Sequence, residues 1–466
     1  MKNLLFLAPL LLGPATPQQK AAPPAVAFSY AALIPPFATP AVLPTRVTQI
    51  VTDNATVADV VTAANAFIAT LSTAQQATLL QEFNSTNVTK WSNLPVNSTN
   101  RIGLRLDALT VAQQTAALAV VRAATGTTAN EGFNEIQQIR AADDNLAANG
   151  GGSTYGSGVY LLAFLGTPST TGTWMLQFGG HHLATNITFG SGTVTGATPK
   201  FEGVEPLSFT TTNTNVLPIG TYAPLSSEQS TMLAMINGLT TAQQATAKLS
   251  QTFNDVVLGP NGNGQFPATK VGLQVSTLTA AQQALVLEAM KPWVQDSDDA
   301  TAASLLSIYQ NQLANTYVAY SGTGLFTSNG DYARIDGPNV WIEFACQGGI
   351  VYRNQIHYHT VWRDHARDYG GNFYTVVTGT KATTAAQAFS VYPNPTSPES
   401  SLQVKLASSA RAATYTLRNT LGQTVATKSF QGNAVEVPTA GLKAGTYVLS
   451  LEVDGQAPVT HRFLVK

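Results

Sequence analysis

The sequence has few of the residues that signal a redox centre, a nucleic-acid surface or a membrane span. Cys346 is the one cysteine, which excludes an intramolecular disulfide. Charged residues make up 11% of the chain and the formal net charge is -1, so binding to nucleic acid or to an anionic membrane has no electrostatic basis. After the N-terminus no run of about 18 apolar residues occurs, and no transmembrane segment is predicted. The 466 residues are enough for two or more domains.

The N-terminus has the pattern of a secretory signal peptide. "MKNLLFLAPLLLGPA" places Lys2 before an apolar stretch that is followed by small residues, and we assign the signal to residues 1–18. No cysteine follows the apolar stretch, which argues against a lipoprotein anchor. Residues 19–46 are rich in proline and alanine and are interpreted as an extended lead-in.

One phrase recurs four times: "LSTAQQATLL", "LTVAQQTAAL", "LTTAQQATAKL" and "LTAAQQALVL". Each copy places Ser or Thr three residues before Gln, which is a capping box and predicts a helix start. The N-cap residues are Ser72, Thr110, Thr240 and Thr279, and their partners are Gln75, Gln113, Gln243 and Gln282. The copies are irregularly spaced, which excludes a solenoid and indicates two helical pairs separated by a different element.

Two distant segments, residues 155–209 and 316–377, are rich in β-branched and aromatic residues punctuated by Gly and Pro. We therefore predict an α+β main domain over residues 47–380, with a mixed sheet flanked by the capped helices. Residues 381–388 are assigned as a linker. Short alternating strands over residues 389–466 predict a small all-β, immunoglobulin-like sandwich.

Histidine is also scarce, yet five of the six histidines lie in two short stretches. In "QIHYHTVW", His357 and His359 would point to the same face of a strand, as two metal ligands on a sheet often do. His181 and His182 are adjacent, so one of them faces inward unless the preceding Gly-Gly pair bends the strand. Each pair alone can equally be a hydrogen-bonded structural feature. Together they predict a metal site.

Three charged residues are candidates for roles beside the histidines. Glu343 shares a strand face with Trp341, and a hairpin could bring it near His357 and His359 as a ligand or general base. Arg363 could hold an anionic substrate group, and Asp364 could orient a metal-bound histidine. The alternative is a buried Arg–Asp ion pair that ties the strand end to its loop.

The C-terminal segment closely resembles the type IX secretion C-terminal sorting domain of Gram-negative bacteria. The resemblance rests on "YPNP", "LRNTLGQTV", "LKAGTYVLSLEVDG" and the basic last residue, Lys466. It implies the type IX secretion machinery as a partner, and a protein that is secreted or attached to the outer-membrane surface. It implies no catalytic role for residues 389–466.

Residues 47–380 resemble the bacterial domain-of-unknown-function family 3500. The matching motifs are "GGHHLATN" after Trp174, "TPKFEGVEP", "ARIDGPNVWIEF" and "HYHTVWRDHARDYGG". Three positions depart from that pattern, where an acidic residue, a proline and an asparagine are expected: Gly179, His365 and Arg367. His365 could thus be an additional ligand. The family name implies no reaction, but the resemblance ties both histidine clusters and Glu343 into one domain.

The resulting hypothesis is a secreted metal-dependent hydrolase of unknown substrate. His181, His182, His357 and His359 are its candidate ligands, and Glu343, Arg363 and Asp364 its candidate catalytic residues. The cofactor would be a divalent metal ion, with zinc as the first candidate and copper, iron or manganese as alternatives. No G-x-S-x-G or H-E-x-x-H motif occurs, which disfavours a serine hydrolase of that type and a zincin protease. The alternatives are a Cu or Fe oxidoreductase and a non-catalytic surface protein that binds a metal, small molecule, glycan or peptide.

Overall fold

A computed structural model describes residues 55–96, 101–211, 215–374, 389–419, 423–453 and 459–466. The assigned signal peptide, lead-in and linker lie outside these ranges. Within them, a mixed α+β region is followed by an all-β antiparallel region, which confirms the predicted fold class. No helix in the described part of the chain is long and apolar enough to cross a membrane.

The four predicted capping boxes all form, and each begins a helix. In each, the hydroxyl accepts from the backbone N–H of the glutamine, whose side chain accepts in return from the N-cap N–H. Among the described residues the α-helices are α1 (Val57–Ala69), α2 (Thr73–Leu79), α3 (Val111–Ala124), α4 (Phe133–Leu146), α5 (Ser226–Asn237), α6 (Thr241–Ala247), α7 (Ala280–Gln295) and α8 (Asp299–Asn311).

The main region is built on one 12-stranded sheet in the order β1-β3-β4-β5-β7-β14-β13-β12-β11-β10, with β2 on β3 and β6 on β5. A separate hairpin consists of β8 and β9. The strands are β1 (Leu80–Gln81), β2 (Leu104–Arg105), β3 (Leu161–Leu165), β4 (Trp174–Gly180), β5 (Leu183–Gly190), β6 (Thr193–Gly196), β7 (Lys200–Val204), β8 (Phe209–Thr211), β9 (Gly220–Tyr222), β10 (Leu273–Gln274), β11 (Tyr317–Ser321), β12 (Tyr332–Asp336), β13 (Val340–Gly348) and β14 (Ile356–Asp364).

The order of elements reveals an internal duplication. The series α1, α2, β2, α3, α4, β3, β4, β5, β7 recurs as α5, α6, β10, α7, α8, β11, β12, β13, β14. The parallel pairing of Leu80 with Phe164 in the first half is matched by the parallel bridge of Lys248 to Tyr320 in the second. The halves meet where β7 pairs antiparallel with β14, the arrangement that a local twofold axis produces. The recurring phrase therefore begins equivalent helices in the two copies. These are α2 and α3 in the first copy and α6 and α7 in the second.

The two faces of the large sheet are covered differently. On the helix-covered face, apolar side chains of α1, α3 and α4 pack on the first half, and those of α5, α7 and α8 on the second. On the loop-covered face, non-helical segments supply Val88, Trp91, Phe253 and Val256. These residues pack on strand side chains such as Phe201. Loop segments without regular structure therefore contact the side chains that the strands direct to that face.

The C-terminal region is a five-stranded antiparallel sheet in the order β15-β16-β18-β19, with β17 paired to β16. Its strands are β15 (Phe389–Tyr392), β16 (Ser401–Asn419), β17 (Thr424–Pro438), β18 (Gly445–Val453) and β19 (Val459–Val465). Leu402, Val404, Leu449 and Phe463 are buried in a core of their own. Alternating apolar residues thus produce the predicted all-β fold.

The capping box of α6 can be tested within one helix. Thr240→Ala removes the hydroxyl that accepts from the Gln243 N–H and should lower the free energy of unfolding by about 1 kcal/mol. Thr246→Ala, in the exposed interior of α6, is the matched control and should be close to neutral. Urea denaturation measures both, and equal effects would contradict the assigned cap.

Candidate metal centre

Strand alternation brings two histidines together on β14. His359 pairs with Ala345 on β13 and with Gly203 on β7, and His357 pairs with Gln347. Both imidazoles lie on the loop-covered face, and their Nε2 atoms are 3.2 Å apart. The H-x-H pattern therefore produces the expected pair of neighbouring nitrogens.

His182 adds a third imidazole from the tight turn between β4 and β5. Its φ of 60° is uncommon for a residue other than glycine. The backbone is held there because the His182 N–H donates to the Asn93 carbonyl and the His182 carbonyl accepts from Gly203. The His182 Nε2 lies 3.2 Å from the His359 Nε2. A strained backbone fixed by two neighbouring segments thus places this ring in the cluster.

Gly203 provides the space for that ring on the central strand. A Cβ at this position would lie 3.1 Å from the His182 ring and 2.9 Å from the Tyr358 carbonyl oxygen. Both approaches are too close for an ordinary Cβ contact. Glycine is therefore required for His182 to lie against β7 beside His359.

The three imidazoles have the spacing of ligands around one ion. Zn–N bonds of about 2.0–2.1 Å at tetrahedral angles separate ligand nitrogens by about 3.3 Å. The two measured Nε2 separations are each 3.2 Å. The ring centroids are 5.3 Å apart for His182 and His357, 5.0 Å for His182 and His359, and 4.8 Å for His357 and His359. The residues present thus fit a tetrahedral metal with three protein ligands.

The electrostatics keep His182 and His357 neutral, which is the protonation state that binds a metal. Burial and the neighbouring histidines hold the pKa of His182 well below its usual range. Burial, together with His359 and His181, lowers the pKa of His357 to about 3. Lone pairs are therefore available at neutral pH.

Asp255 orients His359 from a loop above the sheet. Its Oδ1 lies 2.9 Å from the His359 Nδ1, which leaves the Nε2 free to face the other rings. Burial opposes ionisation of this carboxyl, but hydrogen bonds from His359 and from the Val256 N–H outweigh burial and lower the pKa of Asp255. The sequence offered no pattern for this residue, because "TFNDVVLG" is distant from both histidine pairs.

His181 lies beside the cluster and is not one of its three converging nitrogens. Its ring stacks on that of His182 with centroids 3.6 Å apart and planes 27° apart. Imidazoles that bind one tetrahedral ion have centroids about 5 Å apart, so two rings stacked face to face at 3.6 Å cannot share one ion. The His181 Nδ1 is 2.6 Å from the Asp143 Oδ1. Of the adjacent pair, His182 is the residue that faces the site.

The predicted hairpin of β13 and β14 forms, but Glu343 does not reach the imidazoles. Its buried carboxylate accepts from the Tyr332 hydroxyl at 2.6 Å and from the Trp341 indole at 2.8 Å. It also accepts from the backbone N–H groups of Val257 and Leu258, at 2.7 and 2.8 Å. Glu343 therefore anchors the loop that carries Asp255. In this position it acts neither as a metal ligand nor as a general base.

Arg363 and Asp364 also have structural partners. The fully buried Arg363 guanidinium donates to the carbonyls of Leu258 and Gly259 and pairs with Asp368 at 2.9 Å. These contacts match the alternative of an ion pair that ties the strand end to its loop. Asp364 points to the helix-covered face, where it accepts from the Tyr309 hydroxyl. It contacts none of the clustered histidines.

His365, the candidate additional ligand, lies outside the cluster. Its ring stacks on Phe266 with centroids 3.9 Å apart, and its Nε2 is 3.9 Å from the Asp336 Oδ1. Burial, and then the charge of Lys270, lowers the pKa of His365 to about 3. Its environment is that of a stacked aromatic residue.

Fold and site together define a duplicated α+β region with a buried three-histidine cluster, followed by an all-β region with a core of its own. Residues 53–371 match the family described as "Protein of unknown function (DUF3500)", and the chain belongs to this family. Residues 390–466 match the secretion system C-terminal sorting domain. The protein is accordingly secreted or attached to the outer-membrane surface through the type IX system.

Comparisons with individual proteins add little. PorZ, a surface component of the type IX secretion system of Porphyromonas gingivalis, is 13% identical over 34% of this chain and 17% of its own, with a TM-score of 0.16. A polysaccharide lyase is 12% identical over 63% of this chain and 35% of its own, with a TM-score of 0.14. Similarity at this level carries no argument about fold or function. A comparison with curated proteins finds no match.

The anchoring role of Glu343 predicts a loss of stability on a minimal change. Glu343→Gln replaces one acceptor oxygen with an amide that faces backbone donors, and should lower the free energy of unfolding by about 2–3 kcal/mol. Glu288→Gln, at a side chain that is 52% exposed on α7, should be close to neutral. Equal stability of the two variants in urea would show that the carboxylate does not hold the loop.

Proposed function

We propose that this protein is a secreted or surface-attached zinc-dependent hydrolase whose metal is bound by His182, His357 and His359. The observation that carries the proposal is the 3.2 Å spacing of the imidazole Nε2 atoms on two sides of His359. Neutral imidazoles without a thiolate suit zinc, and copper or iron less specifically. Cys346 does not compete as a soft ligand, because it lies on the helix-covered face.

Three histidine ligands leave one position of a tetrahedral ion open, as in catalytic zinc sites. Two nearby carboxylates are already engaged, Glu343 with its loop and Asp255 with His359. Zinc lowers the pKa of a bound water to about 7 and so supplies a hydroxide for hydrolysis. An enzyme is therefore favoured over a closed structural site.

His181 is the residue that we propose for proton transfer. Its ring lies against His182, and its Nδ1 is fixed by the buried carboxylate of Asp143. A histidine oriented by a carboxylate is the usual form of a general base. This pair takes the role for which the sequence suggested Glu343.

The site lies directly under the protein surface at the Asp255 loop. The Asp255 side chain is 45% exposed, whereas that of His359 is 7% exposed. Substrate would approach from this side, since helices cover the opposite face of the sheet.

Metal content and hydrolysis test the proposal together. The purified full chain should contain about one zinc per molecule by inductively coupled plasma mass spectrometry, and His357→Ala/His359→Ala should contain almost none. His461→Ala, in the C-terminal domain, is the control and should retain the metal. Hydrolysis of a panel of p-nitrophenyl esters and phosphates should disappear with a chelator and return with zinc.

A second variant tests whether Asp255 orients the metal ligand His359, without removing the ligand itself. Asp255→Asn should weaken zinc binding by about 10–100-fold, whereas Asp107→Asn on an exposed Arg–Asp pair should not. A wild-type chain that takes up no zinc, copper, iron or manganese would refute the metal site. Bound zinc without hydrolysis of any substrate would refute the enzyme and favour a binding protein.

A further inference from the structure

A second group of ionisable side chains lies on the helix-covered face, independent of the histidine cluster. It contains Glu131, Glu135, Glu202, Glu228 and Asp296, all of them buried. They come from the loop before α4, from α4, from β7, from α5 and from the residue that follows α7. Four distant segments therefore converge on one acidic cluster in a chain that is only 11% charged.

The carboxylate oxygens form two overlapping triads. Oxygens of Glu131, Glu135 and Asp296 lie within 4.8 Å of one another, as do those of Glu135, Glu202 and Glu228. Glu135 belongs to both triads and is central. Spacing of this kind allows several oxygens to bind one ion, as hard divalent cations require.

Among the residues that the structure describes, too little positive charge lies at this cluster. Lys200 lies 2.8 Å from Glu202 and also pairs with Asp296. Burial and the surrounding carboxylates raise the pKa of Glu131 to about 8 and that of Glu202 to about 7. The same causes raise the pKa values of Glu135 and Glu228 well above their usual range. One lysine faces five acids, so the cluster needs either protons or cations.

Several oxygens point into the cluster without a hydrogen-bond donor among the described residues. They include the Oε2 atoms of Glu131, Glu135 and Glu202 and the Oε1 of Glu228. The Glu202 side chain is completely buried. Buried acceptors normally have partners, so these oxygens need either a shared proton, as between Glu135 and Glu202, or a bound cation.

A cavity connects two of these carboxylates with the surface. Its volume is about 280 Å³, and Glu135 and Glu228 line it together with Asn130, Tyr222 and Ser227. The space is sufficient for a hydrated ion and offers further oxygen ligands. The cavity is thus an access route to the unpaired oxygens.

We propose that this cluster binds an oxygen-preferring divalent cation of the Ca²⁺, Mg²⁺ or Mn²⁺ class, with Glu135 as its central ligand. Carboxylates without imidazole or thiolate select such ions over zinc. One cation with Lys200 offsets most of the negative charge, and a second cation would balance it. The bound ion links α4, α5 and β7 across the boundary between the two halves of the domain.

The test uses the full chain, stripped with chelator and reloaded with one equivalent of zinc. Mn²⁺ should then bind with a stoichiometry of one or two, seen as loss of the free Mn²⁺ electron paramagnetic resonance signal. Ca²⁺ should compete with it and should raise the melting temperature. Glu135→Gln should weaken Mn²⁺ binding by at least about tenfold. Zinc content should not change, which separates this site from the histidine cluster.

Glu228→Gln at the cavity rim is the second variant and should also weaken binding, whereas the surface control Glu288→Gln should bind as the wild type does. Circular dichroism establishes that each variant is folded. A folded wild type that binds neither Mn²⁺ nor Ca²⁺ at millimolar concentration would overturn the proposal. So would a folded Glu135→Gln with wild-type affinity, since the carboxyls would then be sharing protons.

Discussion

The antiparallel pairing of β7 with β14 is the constraint on which the rest of the molecule depends. It joins the two copies of the duplicated motif into one sheet, and it fixes the register that pairs His359 with Gly203. A slip of one residue would turn every side chain of β14 to the other face and remove both histidines from the cluster. The positions of His357 and His359 are therefore a consequence of strand register. The strained turn between β4 and β5 in the first half supplies the third histidine, His182.

Adjacent residues of β7 serve the two faces of the sheet. Gly203 makes room for His182 on the loop-covered face, while Glu202 and Lys200 point into the acidic cluster below the helices. Alternation along one short strand thus separates a nitrogen-rich site from an oxygen-rich site by the thickness of a sheet. This separation would also divide the two proposed metals chemically, because imidazoles favour zinc and carboxylates favour hard cations.

Local patterns predicted the local features of this fold. The capping boxes and the common face of His357 and His359 depend on residues within four positions of each other, so the sequence displayed them directly. The partners of those histidines could not be found in the same way. Asp255 reaches His359 from a distant loop, and Glu343 is occupied by the N–H groups of that loop. The acidic cluster needs four distant segments to converge, which no local spacing reveals. The recurring phrase predicted two helical pairs, and only the strand order shows that these pairs belong to two copies of one motif that meet at β7 and β14.

The proposed metal ion lies between the Nε2 atoms of His182, His357 and His359. The most direct measurement is a crystal structure of the zinc-loaded chain with anomalous data collected on both sides of the zinc absorption edge. We expect one strong anomalous peak about 2.0–2.1 Å from all three nitrogens, with a water or substrate group in the fourth position. Zinc bound elsewhere, or three imidazoles hydrogen-bonded to one another with no peak between them, would contradict it.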